Sequence, residues 1–110
     1  MTPMPDALAD LGRFADPSLH ILVALSDGPK HGYAIMAEVE ALSTRSLGPG
    51  TLYGALARLE RRGLIEALEP EERRRPYRIT GQGATMLRGQ LEQMRGIARA
   101  GLERLGDRGA

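Results

Sequence analysis

Residues 49–65 read Pro49-Gly50-Thr51-Leu52-Tyr53-Gly54-Ala55-Leu56-Ala57-Arg58-Leu59-Glu60-Arg61-Arg62-Gly63-Leu64-Ile65. Leu52, Leu56 and Leu59 fall at i, i+4 and i+7, so they share one face of a helix. The opposite face carries Gly50, Gly54, Ala57, Arg58 and Arg61. It is small near the start and cationic further along. Pro49 suits the first helical turn, and Gly63 suits the left-handed stop after the last one. By spacing alone this is an amphipathic surface helix with solvated arginines. A helix of this kind can also dock its leucines on a core while its smooth, basic side enters a groove.

The flanks add to that reading. Leu64-Ile65-Glu66-Ala67-Leu68 follows at once, then a charged stretch, then Tyr77-Arg78-Ile79-Thr80. The order is helix, strand, charged turn, strand, helix. The motifs are His31-Gly32-Tyr33-Ala34-Ile35, Leu47-Gly48-Pro49-Gly50-Thr51-Leu52-Tyr53, the leucine helix through Ile65, and Arg73-Arg74-Arg75-Pro76-Tyr77-Arg78-Ile79-Thr80. Together, and in this order, they resemble the PadR family of bacterial transcriptional regulators. The resemblance covers roughly Ser18 to Leu105. It implies a mostly α fold with a small β-hairpin: a winged helix-turn-helix that dimerises through a long C-terminal helix and binds operator DNA. The implied division is an extension over 1–17, a winged helix-turn-helix DNA-binding domain over 18–80, and a dimerisation helix with a short tail over 81–110.

Composition narrows the alternatives. A chain of 110 residues with 42% hydrophobic and 26% charged residues is an ordinary small globular domain. Its core is modest in size, so sharing a core with a second copy is reasonable. Cysteine is absent, which excludes disulfides and thiolate catalysis. His20 and His31 are the two histidines and make no metal cluster by themselves. No apolar run reaches the ~18 residues that span a bilayer, and no export signal opens the chain, so the expected location is the cytoplasm. Fifteen Lys+Arg stand against fourteen Asp+Glu, a net charge of +1. Overall field will therefore not draw in DNA, and any affinity depends on where the arginines sit.

Along the chain, Pro3 and Pro5 disfavour a helix at the very start, and residues 6–11 could form a short helical turn. Asp16 is the expected N-cap of the first main helix, with Pro17 in its first turn. Leu19, Leu22, Val23 and Leu25 make that helix apolar on more than one side, hence central. His20 reads as a structural histidine there. Gly28-Pro29 ends it. Lys30-His31-Gly32-Tyr33 opens a second helix, to about Leu42, with Ile35, Met36, Val39 and Leu42 as its core stripe. Backbone N–H groups at this start can bind a phosphate. Lys30, His31 and the Tyr33 hydroxyl are candidate neighbours of that phosphate, against the simpler reading of a packed helix start. Ser43 to Gly48 form the turn, which is short compared with typical relatives. Leu47 is expected to plug the core, in a minimal strand paired with the wing.

In the wing, Leu64, Ile65 and Leu68 lie on the first strand, and Tyr77 and Ile79 on the second. Between them Glu69, Glu71 and Glu72 precede Arg73, Arg74 and Arg75. Those arginines either lie against a phosphate strand while the glutamates face away, or form local ion pairs at a solvated tip. Thr80 suits the N-cap of the final helix. There Ala84, Leu87, Leu91, Met94, Ala98, Leu102 and Leu105 recur at steps of three or four, a coiled-coil-like seam. So long a seam exceeds what one small domain can cover. Leu87, Leu91, Met94, Ala98, Leu102 and Leu105 are the candidate dimerisation residues.

Neither a nucleophile elbow nor a Walker loop is present, and the carboxylates do not converge, so the chain does not read as an enzyme. No cofactor is called for. The functional expectation is a sequence-specific regulator, in sense a repressor, binding an inverted-repeat operator on double-stranded DNA as a homodimer. Pro49, Gly50, Thr51, Tyr53, Gly54 and Arg58 are its candidate groove residues, joined by Lys30, His31, Gly32, Tyr33, Arg73, Arg74 and Arg75. The competing expectation is a dimeric winged-helix module that docks protein instead. The resemblance also implies a small effector, such as a phenolic acid or a hydrophobic drug. The chain has no Trp to stack on one.

Overall fold

A computed structural model describes residues 17–43 and 47–109. Asp16, residues 6–11 and the middle of the 43–48 turn lie outside the described residues. The elements run α1 (Ser18–Leu25), β1 (Lys30–His31), α2 (Gly32–Leu42), α3 (Pro49–Arg61), β2 (Ile65–Ala67), β3 (Pro76–Ile79) and α4 (Gly81–Gly109). This is the expected winged helix-turn-helix with a long final helix.

The core sits where α1, α2 and α3 meet the sheet. α1 buries Ile21, Leu22, Ala24 and Leu25 and adds Leu19 and Val23 at its margin, so it is central as its apolar surround implies. Pro17 occupies the N-cap position and its carbonyl accepts from Ile21 N at 2.9 Å, which shifts the expected start by one residue. α2 contributes Ile35 and Val39, with Met36 half-buried. Leu42, expected in the same stripe, is exposed because it falls in the final turn just before the chain becomes extended at Ser43. α3 buries Leu52, Ala55, Leu56 and Leu59. Burying each such leucine contributes on the order of 1.5–3 kcal/mol.

The sheet is antiparallel in the order β1-β3-β2. Ile65 pairs with Ile79, Glu66 with Arg78, and Ala67 with Tyr77. Among the described residues the third strand is Lys30–His31, paired to Tyr77 and Pro76, and Leu47 lies in no strand. Leu47 does pack against the core, and its N–H donates to the Glu40 carboxylate at 3.3 Å. It plugs without pairing.

At its tip the wing closes in a two-residue turn. Glu71 and Arg74 exchange backbone hydrogen bonds of 2.6 and 2.8 Å. Glu72 and Arg73, between them, have φ of 49° and 73°. Positive φ at both central residues is the type I′ hairpin signature, which favours Asn-Gly and strains longer side chains.

Thr80 starts α4. Its hydroxyl accepts from Gly83 N at 3.0 Å and donates to the Gly63 carbonyl at 2.7 Å. Thr80 N donates to the Leu64 carbonyl at 3.1 Å. Gly83 is obligatory here, because a Cβ would lie 2.1 Å from that same Leu64 oxygen.

The glycines of α4 should therefore respond to substitution in opposite directions. Gly83→Ala should lower unfolding free energy by about 1–3 kcal/mol, since backbone must move. Gly89→Ala, at a helical glycine with open space, should raise it by up to about 1 kcal/mol. Urea denaturation distinguishes them; equal effects would contradict the packing at Gly83. Replacing Glu72-Arg73 by Asn-Gly should stabilise the hairpin by roughly 1 kcal/mol. A loss of stability in the same assay would contradict the turn geometry.

Candidate nucleic-acid interface

The leucine spacing of α3 produces two distinct faces. Opposite its buried side, Pro49, Gly50, Thr51, Tyr53, Gly54, Ala57, Arg58 and Arg61 are exposed. Both ends of the helix are fixed. Gly48 is extended at the N-cap, its carbonyl accepts from Leu52 N at 3.1 Å, and Pro49 fills the first turn. At the other end Gly63 takes φ +75°, Gly63 N donates to the Glu60 carbonyl at 3.0 Å, and Leu64 N donates to the Leu59 carbonyl at 3.0 Å. That pair is a Schellman stop. Arg58 and Arg61 lie in the last turn, where the helix dipole favours cations.

The start of α2 lies beside α3. Gly32 is buried, and a Cβ there would come within 2.5 Å of the Tyr53 hydroxyl oxygen. Glycine at 32 therefore lets Tyr53 of α3 seat on the first turn of α2. His31 is extended at the N-cap of α2 and offers no side-chain cap to the first N–H groups. Tyr33 is 71% exposed.

Lys30 points elsewhere. Its ammonium donates to the Ala24 carbonyl at 2.6 Å and to the Asp27 carboxylate, and lies 3.4 Å from Glu38 Oε1. Only 17% of its side chain is exposed. The hydrogen bond it donates to Asp27 holds the Lys30 ammonium above its usual pKa, and the same bond holds the Asp27 carboxyl below its own. Both groups stay charged through neutral pH. This clamp fastens the end of α1 to the start of α2, so Lys30 serves the scaffold and not an outside phosphate. Nothing in residue spacing distinguishes the two roles.

His31 Nε2 lies 2.9 Å from Glu71 Oε1, joining β1 to the wing tip. Arg73, Arg74 and Arg75 are all exposed, and Arg75 Nη1 donates to the Leu68 carbonyl at 3.4 Å. Arg78 pairs with Glu66 at 2.6 Å across the strands, a surface contact worth roughly 0–1 kcal/mol. Tyr77, half-buried in β3, has its phenol pushed up by burial, with Glu60 reinforcing and Arg75 opposing. It is a hydroxyl at neutral pH. Glu71 is thus turned toward His31 while the arginines face solvent.

Along α4, Leu87 is 5% exposed and belongs to the subunit's own core. It leaves the expected seam because α4 still lies on α1 at that turn. Beyond it Leu91, Met94, Ala98, Leu102 and Leu105 are exposed. So is Ile97 at 75%, a position omitted from the expected seam although it stands three residues after Met94. A groove of about 460 Å³ runs between α1, β3 and α4, lined by Val23, Ile79, Leu87 and Leu91 with Arg88 and Arg95 among its polar residues. Among the described residues, no group of His, Cys, Asp and Glu could hold a metal, and no helix is long and apolar enough to cross a membrane.

Comparison with known proteins places this geometry. The family model described as the transcriptional regulator PadR-like family matches residues 21–89. A PadR family transcription regulator of Clostridium difficile superposes with a TM-score of 0.72 at 26% identity, over 81% of this chain and 96% of that one. A transcriptional regulator from Clostridium thermocellum superposes with a TM-score of 0.67 at 30% identity, over 84% and 91%. In sequence, 82 residues are 48% identical to an uncharacterized 37.1 kDa protein in a Streptomyces fradiae transposon. That match takes in 74% of this chain and 24% of the relative, so the chain spans about a quarter of the relative's length. With a matching family model over most of its length and the same fold in solved members, the chain belongs to the PadR-like family of transcriptional regulators.

Proposed function

We propose that this protein is a homodimeric, sequence-specific DNA-binding repressor, with residues 18–80 as the reading domain and residues 81–110 as the dimerisation helix and tail. The observation that carries the reading is the exposed face of α3: Gly50, Thr51, Gly54, Ala57, Arg58 and Arg61 stand opposite four buried apolar residues. Such a face enters the major groove, with small residues allowing close approach and arginines available for base edges or phosphates. The backbone at His31, Gly32 and Tyr33 holds a phosphate beside it, and Arg73, Arg74 and Arg75 follow the neighbouring strand. Binding represses by occupying promoter DNA. The site of action on chromosomal DNA makes the protein cytoplasmic.

Dimerisation is supported by α4. Its 29 residues extend for about 44 Å, and Leu91, Met94, Ile97, Leu102 and Leu105 leave a broken apolar stripe exposed. A Cβ added at Gly89, Gly96 or Gly101 would meet no atom within 4 Å beyond the local backbone of its own helix. A second α4 would cover that stripe and set two α3 helices about 34–36 Å apart, one helical turn of DNA. The groove between α1 and α4 suits a small aromatic acid or apolar drug as effector, with Arg88 to meet a carboxylate while Arg95 is paired with Glu92 of the same wall. The near-neutral charge and the Glu71–His31 contact motivate the second reading, a winged module that docks protein.

Footprinting on the intergenic DNA beside the gene should show two protected blocks in inverted repeat, centred about one turn apart. Absence of protection even at low salt would contradict operator binding and favour the protein-docking reading. Changing Arg73, Arg74 and Arg75 together to Ala should flatten the salt dependence of binding by about 0.9 in log-log slope for each phosphate no longer neutralised. An unaltered slope would remove the wing from the interface. Leu102→Glu with Leu105→Glu should convert a sedimenting dimer to a monomer that remains helical by circular dichroism. A wild-type chain that sediments as a single subunit would overturn the dimer.

A further inference from the structure

We propose that the outer half of α4, residues 96–109, becomes helical only when it pairs with a second copy. Folding of this half and assembly of the dimer are then one step. The inference rests on the dimer reading and deepens it.

α4 has two unlike halves. Over residues 81–95 its own subunit supports it. Gly83 and Leu87 are buried, Thr80 caps the start, and the groove against α1 and β3 reaches as far as Arg95. Over residues 96–106 every residue is exposed except Ala100, which is half-buried. Ile97, Leu102 and Leu105 are 66–75% exposed. Among the described residues, this half contributes nothing to the core and the core lends it no cover.

Its sequence does not replace what packing withholds. Gly96, Gly101 and Gly106 all lie inside the helix. Each lowers the local helix equilibrium about 5-fold against alanine, and the three together by about 100-fold. A Cβ on any of them would meet no atom within 4 Å beyond the local helix backbone, so no close approach within the subunit calls for glycine. Growth from the supported half avoids the cost of nucleation, yet nearly every added turn must carry a glycine. Most helical stability in proteins comes from packing of an apolar face. Here that face is Ile97, Ala98, Leu102 and Leu105, and it continues the exposed Leu91 and Met94 at steps of three or four. That is the pattern by which identical helices pair, so a second α4 is the occupant that fits.

Gly96 separates folding from contact. It stands about 180° round the helix from Leu105, facing away from the apolar stripe. A substitution there changes the helix equilibrium without entering the seam. Because pairing must also order this half, the dimer is weakened, and operator occupancy follows protein concentration.

Hydrogen exchange on the full chain over a dilution series, with sedimentation in parallel, tests the inference. Protection over residues 96–109 should fall on dilution, while protection over residues 18–80 stays constant. The Leu102→Glu, Leu105→Glu monomer should lose protection over 96–109 alone. Gly96→Ala should tighten the dimer by up to about 5-fold, and Gly96→Pro should loosen it by about 30-fold. Operator binding at limiting protein should move in the same order. A dimer whose residues 96–109 are equally protected at every concentration would overturn the inference alone. So would a Gly96→Ala dimer no tighter than wild type. A chain that sediments as one subunit at every concentration would overturn the dimer reading beneath it.

Discussion

Four hydrogen bonds converge on Thr80, and the placement of the long helix against the end of α3 depends on them. The hydroxyl joins the Gly63 carbonyl to Gly83 N, while its backbone joins the Leu64 carbonyl to Ala84 N. Gly63 and Leu64 are also the residues that stop α3. The end of the helix with the exposed basic face and the start of the long helix are thus held through one side chain. Gly83 presses the joint closed, its missing Cβ leaving the Leu64 oxygen in place. The start of α4 and the end of α3 therefore share one rigid joint. The joint thus ties the long helix with its exposed apolar stripe to the helix with the exposed basic face.

Electrostatics in this protein is local. A net charge of +1 provides no long-range attraction, yet the described acids and bases are unevenly distributed. Asp27 and Glu38 hold Lys30, Glu66 holds Arg78, and Glu71 faces His31. Those pairs fasten the scaffold. Arg61, Arg73 and Arg74 stand exposed around α3 and the wing tip. A bulk charge count averages these two populations and conceals the second. In the wing, Glu71 is turned to His31 and away from the arginines that follow it.

Much of this is legible in the chain, for identifiable reasons. Leu52, Leu56 and Leu59 announce α3 because a buried helix face must repeat at its own period. Gly63 and Thr80 announce their caps because few residue types suit those positions. β1 is illegible, since two residues carry no period, and among the described residues it is Lys30–His31 and not Leu47 that pairs with β3. Lys30 resembles a phosphate ligand because a lysine at a helix start has the same sequence whether it turns outward or back onto Asp27. Leu87 shares the spacing of the exposed seam but lies one turn too early, where α1 still covers α4. Ile97 and Ala98 compete for the same seam in spacing, and the helix leaves both exposed. Contacts that depend on the fold's third dimension, such as Tyr53 on Gly32, leave no signal beyond an unexplained glycine.

The central claim is that two copies hold their α3 helices at the pitch of duplex DNA. Because the chain has no cysteine, one introduced at the exposed Glu60 provides a unique spin-label site on α3. Dipolar spectroscopy on the labelled protein measures the separation between copies directly. The account predicts a single distance distribution centred near 34–36 Å, broadened by the label arms. The absence of a dipolar signal, or a distance far from one helical turn, would contradict it.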